Sequence, residues 1–136
     1  MITKFKLFEQ YDNKNMIPGN IYKMEDMDNP YLCFIEDNSM NSNIGVYGVI
    51  IVDMKNNFYT IIEWEKNRKI YSTNMTLKDL IMENKIDLKK LENDFYYAMN
   101  YADNKNFGDI VKKFHNDYIE NDVDIKRKIK SNEFNL

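Results

Sequence analysis

Alternating apolar and polar positions dominate the first half of the chain and predict β-strands. Short apolar and aromatic runs are separated there by turn-forming residues, which is typical of strands and hairpins. We expect turns at residues 54–57 and 66–68, and strands at Ile2–Phe8, Asn20–Met24, Tyr31–Glu36, Val46–Asp53, Phe58–Glu65 and Lys69–Ser72. Because side chains alternate along a strand, one face of the fifth strand carries four residues that we predict to face the core. These are Phe58, Thr60, Ile62 and Trp64.

The apolar spacing changes from two to three or four residues at Thr76, so the second half predicts helices. Thr76 and Asp79 fit a capping box that begins a first helix. Asp87 can cap a second helix, whose apolar stripe comprises Leu88, Leu91, Phe95, Ala98, Met99 and Ala102. Asn106 with Asp109 can begin a third, whose stripe comprises Phe107, Ile110, Val111, Phe114 and Tyr118. The charged residues 122–136 are expected to form an exposed fourth helix or a frayed tail.

These patterns together predict a single α+β domain over residues 1–136. An N-terminal antiparallel β-sheet or small barrel, about residues 1–75, packs on a helical part at about residues 76–121 and shares one core with it. No linker rich in Pro, Gly or Ser divides the chain. A length of 136 residues with 43% hydrophobic and 14% aromatic residues is enough for one such core.

Composition and charge narrow the classes of function. A net charge of −3 disfavours direct binding to nucleic acid through bulk electrostatics. Cys33 is the only cysteine, which excludes an intrachain disulfide and indicates a reducing compartment. The longest apolar stretch, around residues 46–52, is too short to cross a bilayer, and the N-terminus lacks a continuous apolar signal segment. We therefore expect a cytoplasmic protein that does not engage a membrane.

Most signatures of catalysis are absent, since there is no glycine-rich phosphate loop, GxSxG elbow or HExxH pair. We predict no catalytic residue, no metal site and no cofactor. Cys33 and His115 could form a thiolate pair, but Cys33 lies in an apolar run typical of a buried residue and His115 borders its helix stripe. Asp37, Asp53 and Lys55 resemble the D…(D/E)xK pattern of metal-dependent nucleases, in which two carboxylates hold Mg²⁺.

Two surfaces are candidates for binding a protein partner. Lys and Arg are absent between Lys23 and Lys55, so acidic side chains there could form a patch that attracts a basic groove. The candidate residues are Glu25, Asp26, Asp28, Glu36 and Asp37. The second surface is on the long helix, where exposed tyrosines typical of interfaces point away from the apolar stripe or flank it: Tyr96, Tyr97 and Tyr101. The alternatives are a solvated loop for the first surface and packing against neighbouring elements for the second.

Residues 77–96 also have the spacing of a helix-turn-helix, which would make the chain a DNA-binding regulator. Base and phosphate contacts would then fall to Lys89, Lys90, Glu92 and Asn93. Bulky Ile81 stands where a small residue is expected, and Lys85 replaces the usual turn glycine. A plain αα-hairpin explains the same spacing.

The opening residues 4–9 (KFKLFE), the β-rich first half and the loop at residues 41–45 (NSNIG) resemble small uncharacterised proteins of phages and mobile elements of low-GC bacteria. The resemblance implies an inhibitor of host defences, as anti-CRISPR proteins are, that occupies a target's surface in the bacterial cytoplasm. Our leading hypothesis is a non-enzymatic interaction module that covers a basic groove on a host protein, such as a nucleic-acid-binding effector. The alternatives are the DNA-binding regulator and the metal-dependent nuclease, and the oligomeric state stays open.

Overall fold

An antiparallel sheet followed by helices makes up residues 17–25, 29–36, 46–65 and 69–134, which the computed structural model describes. The strands are β1 (Asn20–Met24), β2 (Pro30–Phe34), β3 (Val46–Asp53), β4 (Phe58–Glu65) and β5 (Ile70–Thr76). The helices are α1 (Leu77–Met82), α2 (Leu88–Tyr101), α3 (Lys105–His115), a π-helix (Asn116–Glu120) and α4 (Val123–Phe134). The predicted α+β class and the β-to-α boundary at Thr76 are confirmed. The expected strand at Ile2–Phe8 and turn at residues 66–68 lie outside the described residues.

The five strands lie in the order β4-β3-β2-β1-β5, and every pair is antiparallel. Strands β1 to β4 form a meander, whereas β5 returns to pair with β1, placing Ile70 opposite Met24. β5 extends four residues beyond the predicted end at Ser72. The Thr73 hydroxyl donates to the Ile21 carbonyl at 2.6 Å beside an irregularity in the β1–β5 register. This side-chain bond lets the strand continue past the irregularity.

The main hydrophobic core lies between one sheet face and the helices, and it contains residues of both halves of the chain. The prediction that Phe58, Thr60, Ile62 and Trp64 face the main core is wrong, because Tyr59 and Ile61 on the other side of the strand pack there and Phe58 is 57% exposed. Ile62 and Trp64 pack on a smaller cluster at the opposite face of the sheet. The Tyr59 hydroxyl accepts from the Asp87 amide at 2.7 Å and donates to Asn57 at 2.7 Å. The Tyr59 ring is therefore buried while its hydroxyl keeps hydrogen-bond partners.

Capping side chains begin the helices. The Thr76 hydroxyl and the Asp79 carboxylate each accept from the other's backbone amide at 3.1 Å, so the predicted capping box is confirmed. Asp87 caps α2 as predicted. The predicted start of α3 at Asn106 is wrong, because Asn104 is the cap and its side chain accepts from the Asn106 amide at 2.9 Å. Either asparagine can serve as a cap, so the sequence alone could not place this helix start.

A π-helix continues α3 and changes which side chains face the core. The Asn121 amide donates to the Asn116 carbonyl at 2.9 Å, a bond from residue i+5 to residue i. This wider turn leaves Tyr118 40% exposed and brings Ile119 to 1% exposed. The predicted apolar stripe is therefore wrong at its last position, Tyr118, because it assumed an unbroken α-helix.

Residues Val123–Phe134 form helix α4 rather than a frayed tail. Ile125 is fully buried and holds α4 in the main core. Asp122 precedes the helix, and its carboxylate accepts from the amides of Asp124 and Ile125 at 3.0 Å each while also lying 3.0 Å from the Lys78 ammonium of α1. No helix among the residues that the structure describes is long and apolar enough to cross a membrane.

Replacing Asp122 with Ala is expected to destabilise the protein by about 1 kcal/mol at neutral pH, which is the usual contribution of an N-cap. Burial opposes ionisation of Asp122, but the Ile125 amide and the Lys78 ammonium outweigh it and hold the pKa below its ordinary value of 3.8. Since the folded-state pKa is lowered, this stabilisation is present above pH 3.8 and disappears as pH falls through the lowered pKa. Urea unfolding of the wild type and of Asp122→Ala, at neutral and at acidic pH, measures this difference in the free energy of unfolding.

Asp124→Ala is the matched control, because Asp124 also lies 3.0 Å from Lys78 but does not cap the helix with its side chain. We expect this variant to lose less than about 0.5 kcal/mol, as for an exposed ion pair. Equal losses for the two variants would show that the cap does not stabilise α4.

Candidate functional site

The solvent side of α2 carries a group of three tyrosines. The helix buries Leu88, Leu91, Phe95 and Ala98 on its inner side. Tyr96, Tyr97 and Tyr101 are 61%, 68% and 70% exposed. The rings of Tyr97 and Tyr101, one helical turn apart, lie with their centroids 5.1 Å apart. Tyr96 is exposed on the same solvent side of the helix, about 100° around the helix axis from Tyr97. We call these three residues the tyrosine face.

The part of the sequence that carries the tyrosine face contains acidic residues but no Lys or Arg. Between Lys90 and Lys105 there is no Lys or Arg, whereas Glu92, Asp94 and Asp103 lie within that interval. Burial raises the pKa of Asp94, against the opposing effect of Lys90. Asp94 is half-buried in α2 and Asp103 is exposed just after this helix, so carboxylate groups lie close to the tyrosine rings along the chain.

A second group of polar side chains lies where α2, α3 and the π-helix meet. His115 Nε2 lies 2.9 Å from Glu92 Oε1 and 3.2 Å from Glu92 Oε2. A Glu120 carboxylate oxygen joins them, so that one ligand atom from each of the three residues lies within 4.8 Å of the others. The side chains of His115 and Glu92 are 7% and 20% exposed, and Glu120 is exposed. We call these three residues the Glu–His–Glu cluster.

The sequence did not indicate this cluster. The five-residue interval between His115 and Glu120 is not a same-face spacing in an α-helix, and Glu92 comes from a different helix. Protein-family models, curated proteins and solved structures all gave no match to this chain. The geometry of its own side chains is therefore the basis for the proposals that follow.

The predicted acidic patch is not assembled among the described residues. Glu25 is exposed at the end of β1 and accepts from the Tyr71 hydroxyl at 3.2 Å. The expectation that Glu36 is a surface group is wrong, because it is buried and its carboxylate accepts from the Gly48 amide at 2.7 Å. A buried amide needs such an acceptor. The other members lie outside the described residues: Asp26, Asp28 and Asp37.

Glu25 and the tyrosine face also lie toward different edges of the sheet. The Glu25 amide donates to the Lys69 carbonyl just before β5, at one edge. Helix α2 packs along β4, at the other edge. The two candidate surfaces are therefore separate among the described residues.

Asp53 of the nuclease-like pattern takes part in the β3–β4 turn. Its carboxylate accepts from the Asn56 side chain at 2.8 Å and from the Asn56 amide at 3.1 Å, and these bonds lower the pKa of Asp53. Lys55 is exposed in the same turn, and Asp37 lies outside the described residues. The two described members thus fit a hairpin turn, and the nuclease stays a hypothesis.

The Cys33 thiol is buried and does not pair with His115 in the part of the chain that the structure describes. Burial raises its pKa to about 12, against the opposing effect of the Gly19 backbone, and Sγ donates to the Phe34 carbonyl at 3.8 Å. A thiol that stays protonated at neutral pH is a poor nucleophile. His115 is directed at Glu92 instead.

The helix pair at residues 77–101 is built into the core. Helix α1 packs mainly on β5 and α4, whereas α2 packs on β4 and α3. Of the residues expected to contact DNA, Glu92 is bound to His115, and the Lys90 ammonium donates to the Asn57 carbonyl at 3.4 Å. Lys89 and Asn93 are exposed. This packing favours an αα connection over a separate helix-turn-helix unit.

Proposed function

We propose that this chain is a protein-interaction module that docks through its tyrosine face onto a basic surface of its partner. The observation that carries the proposal is the exposure of Tyr96, Tyr97 and Tyr101 on one rigid helix. Large apolar side chains left in water together are typical of surfaces that another protein covers. The acidic loop contributes less to the proposal, because Glu36 is buried.

Tyrosine side chains suit such a surface for two physical reasons. A tyrosine ring buries a large area and loses little conformational entropy, since it has only two rotatable side-chain bonds. Its face also attracts the guanidinium of arginine, which is the cation most often found over aromatic rings. The tyrosine face therefore favours a partner with arginines at its surface.

The charges near the tyrosine face also favour a partner with a basic surface. Asp94 and Asp103 lie near the tyrosine face along the chain, and there is no Lys or Arg between Lys90 and Lys105, so this interval attracts a basic groove rather than repelling it. A groove rich in Arg and Lys is also what a nucleic-acid-binding protein uses to hold phosphates. Covering such a groove would inhibit its owner, which fits a role as an inhibitor of a nucleic-acid-handling defence system.

Affinity capture from cells of the source organism tests this proposal, using the full chain and the double variant Tyr97→Ala/Tyr101→Ala. We expect quantitative mass spectrometry to show at least a tenfold loss of the captured partner, since residues that dominate an interface are often tyrosines and contribute about 2 kcal/mol or more each. We also expect the wild-type capture to weaken as salt is raised.

Phe58→Ala is the matched control, because Phe58 is a similarly exposed aromatic residue, at 57%, outside the tyrosine face. This variant is expected to capture the partner as the wild type does. Equal capture by the double variant and the wild type, or no specifically captured protein at all, would contradict the proposal.

A further inference from the structure

We propose that the Glu–His–Glu cluster is a binding site for a divalent transition-metal ion such as Zn²⁺. It would be bound by His115 Nε2 and by carboxylate oxygens of Glu92 and Glu120, which have ligand atoms within 4.8 Å of one another. Imidazole nitrogen and carboxylate oxygen are standard zinc ligands. This site is independent of the tyrosine face.

The local backbone explains why His115 and Glu120 meet. In a π-helix the residue at i+5 lies one turn above residue i, as the bond from the Asn121 amide to the Asn116 carbonyl shows. His115 immediately precedes this turn and Glu120 ends it. Single π-turns within α-helices occur frequently at functional sites.

The distances within the cluster are close to those of a coordination sphere. Two ligand atoms on one tetrahedral zinc ion, each about 2.1 Å from it, lie about 3.4 Å apart. His115 Nε2 is 2.9 Å and 3.2 Å from the two oxygens of Glu92, so small adjustments would admit an ion between them. Glu120 is exposed and can rotate inward to become the third ligand.

Burial keeps the imidazole in place. His115 is packed against the Phe95 ring, with centroids 4.9 Å apart, and only 7% of its side chain is exposed. A preorganised histidine loses little entropy when it binds an ion. Three protein ligands leave a fourth position of a tetrahedral ion open on the exposed Glu120 side, where water can bind.

Charge in the cluster favours a cation. Two carboxylates flank one imidazole, and no Lys or Arg forms an ion pair with Glu92 or Glu120 among the residues that the structure describes. The alternative is a simple buried contact between His115 and Glu92, which needs neither Glu120 nor a metal. A metal site would bind Zn²⁺ through His115, whereas a simple contact between His115 and Glu92 would not.

Equilibrium dialysis against Zn²⁺, with the metal counted by elemental analysis, tests the site in the full chain purified without a histidine tag. We expect one Zn²⁺ per chain for the wild type. Because groups that merely support a metal ligand already change affinity about 10- to 100-fold, Glu120→Gln is expected to weaken binding by at least about tenfold. Glu120 is exposed, so this variant should keep its fold, which circular dichroism checks.

Asp117→Asn is the matched control, since it removes the same charge from the same π-helix at an exposed residue outside the cluster. We expect its Zn²⁺ affinity to stay within about twofold of the wild type. Equal weakening in Glu120→Gln and Asp117→Asn would show that only general charge matters and would overturn the site.

Nuclear magnetic resonance gives a second readout, because His115 is the only histidine in the chain and both imidazole nitrogen signals therefore belong to it. The couplings of the two nitrogens to the ring protons distinguish Nε2 from Nδ1. We expect Zn²⁺ to shift the Nε2 signal strongly in the wild type. No bound Zn²⁺ in dialysis, or bound Zn²⁺ without a change at His115, would overturn the proposal. Failure of the tyrosine variants to lose a partner would leave this result unaffected.

Discussion

Phe95→Ala is expected to destabilise the protein by about 3–5 kcal/mol, the usual range when a buried phenylalanine is truncated. Phe95 is fully buried, and its ring packs on two residues of α3, the Phe114 ring at a centroid distance of 6.1 Å and the His115 imidazole at 4.9 Å. Truncation removes packing from two helices at once and leaves a cavity that they cannot readily fill. Urea unfolding followed by circular dichroism measures the loss.

Tyr96→Ala, at the next residue, is the control for this experiment because its side chain is mostly exposed. We expect a change within about 0.5 kcal/mol, as for most surface substitutions. Comparable losses for the two variants would mean that α2 does not face the core through Phe95.

Ile119→Ala is also expected to have a large effect and to lower the free energy of unfolding by about 2–5 kcal/mol. Ile119 is buried only because the π-helix rotates it inward, so this substitution tests the π-helical register directly. In an unbroken α-helix, Tyr118 would continue the buried stripe of Phe107, Val111 and Phe114 and Ile119 would lie off it. The same unfolding measurement applies.

Tyr118→Ala provides the comparison, since Tyr118 stacks on Phe114 at 4.5 Å but stays 40% exposed. We expect it to cost less than Ile119→Ala, because water can enter the space left by the half-exposed Tyr118 ring, whereas truncation of Ile119 leaves an enclosed cavity. A larger loss at Tyr118 than at Ile119 would indicate an unbroken α-helix. It would also remove the reason for Glu120 to lie beside His115.

Local patterns predicted most of the fold. Strands β1, β3 and β4 have their predicted boundaries, since each is an apolar run closed by turn residues. The caps at Thr76 and Asp87 are also where the sequence placed them, because a capping side chain acts within its own helical turn. Features that depend on a few consecutive residues were thus accessible to sequence analysis.

Features of the fold that depend on tertiary contacts could not be predicted from the sequence. Both faces of β4 carry apolar residues, so alternation alone could not show that Tyr59 faces the helices. Charge normally indicates exposure, and Glu36 is buried because a distant amide, that of Gly48, needs its carboxylate. No residue type marks a π-helix, so neither the inward turn of Ile119 nor the approach of Glu120 to His115 could be predicted.

Of the two candidate sites, the sequence indicated the tyrosine face but not the Glu–His–Glu cluster. Exposure of Tyr96, Tyr97 and Tyr101 follows from the apolar stripe of their own helix, and the sequence indicated it. The Glu–His–Glu cluster needs two helices to meet and a backbone irregularity between two of its members. The metal site that we propose there could therefore be inferred only from the three-dimensional arrangement of its residues.

The order of the strands affects how the nascent chain acquires its sheet. Strands β1 to β4 are neighbours in both sequence and space, so this meander is complete as soon as β4 has left the ribosome. The β1 backbone groups that pair with β5 have no β5 available until residues 70–76 have been synthesised. β5 ends at Thr76, which caps α1, so arrival of the last strand also fixes where the helical half begins.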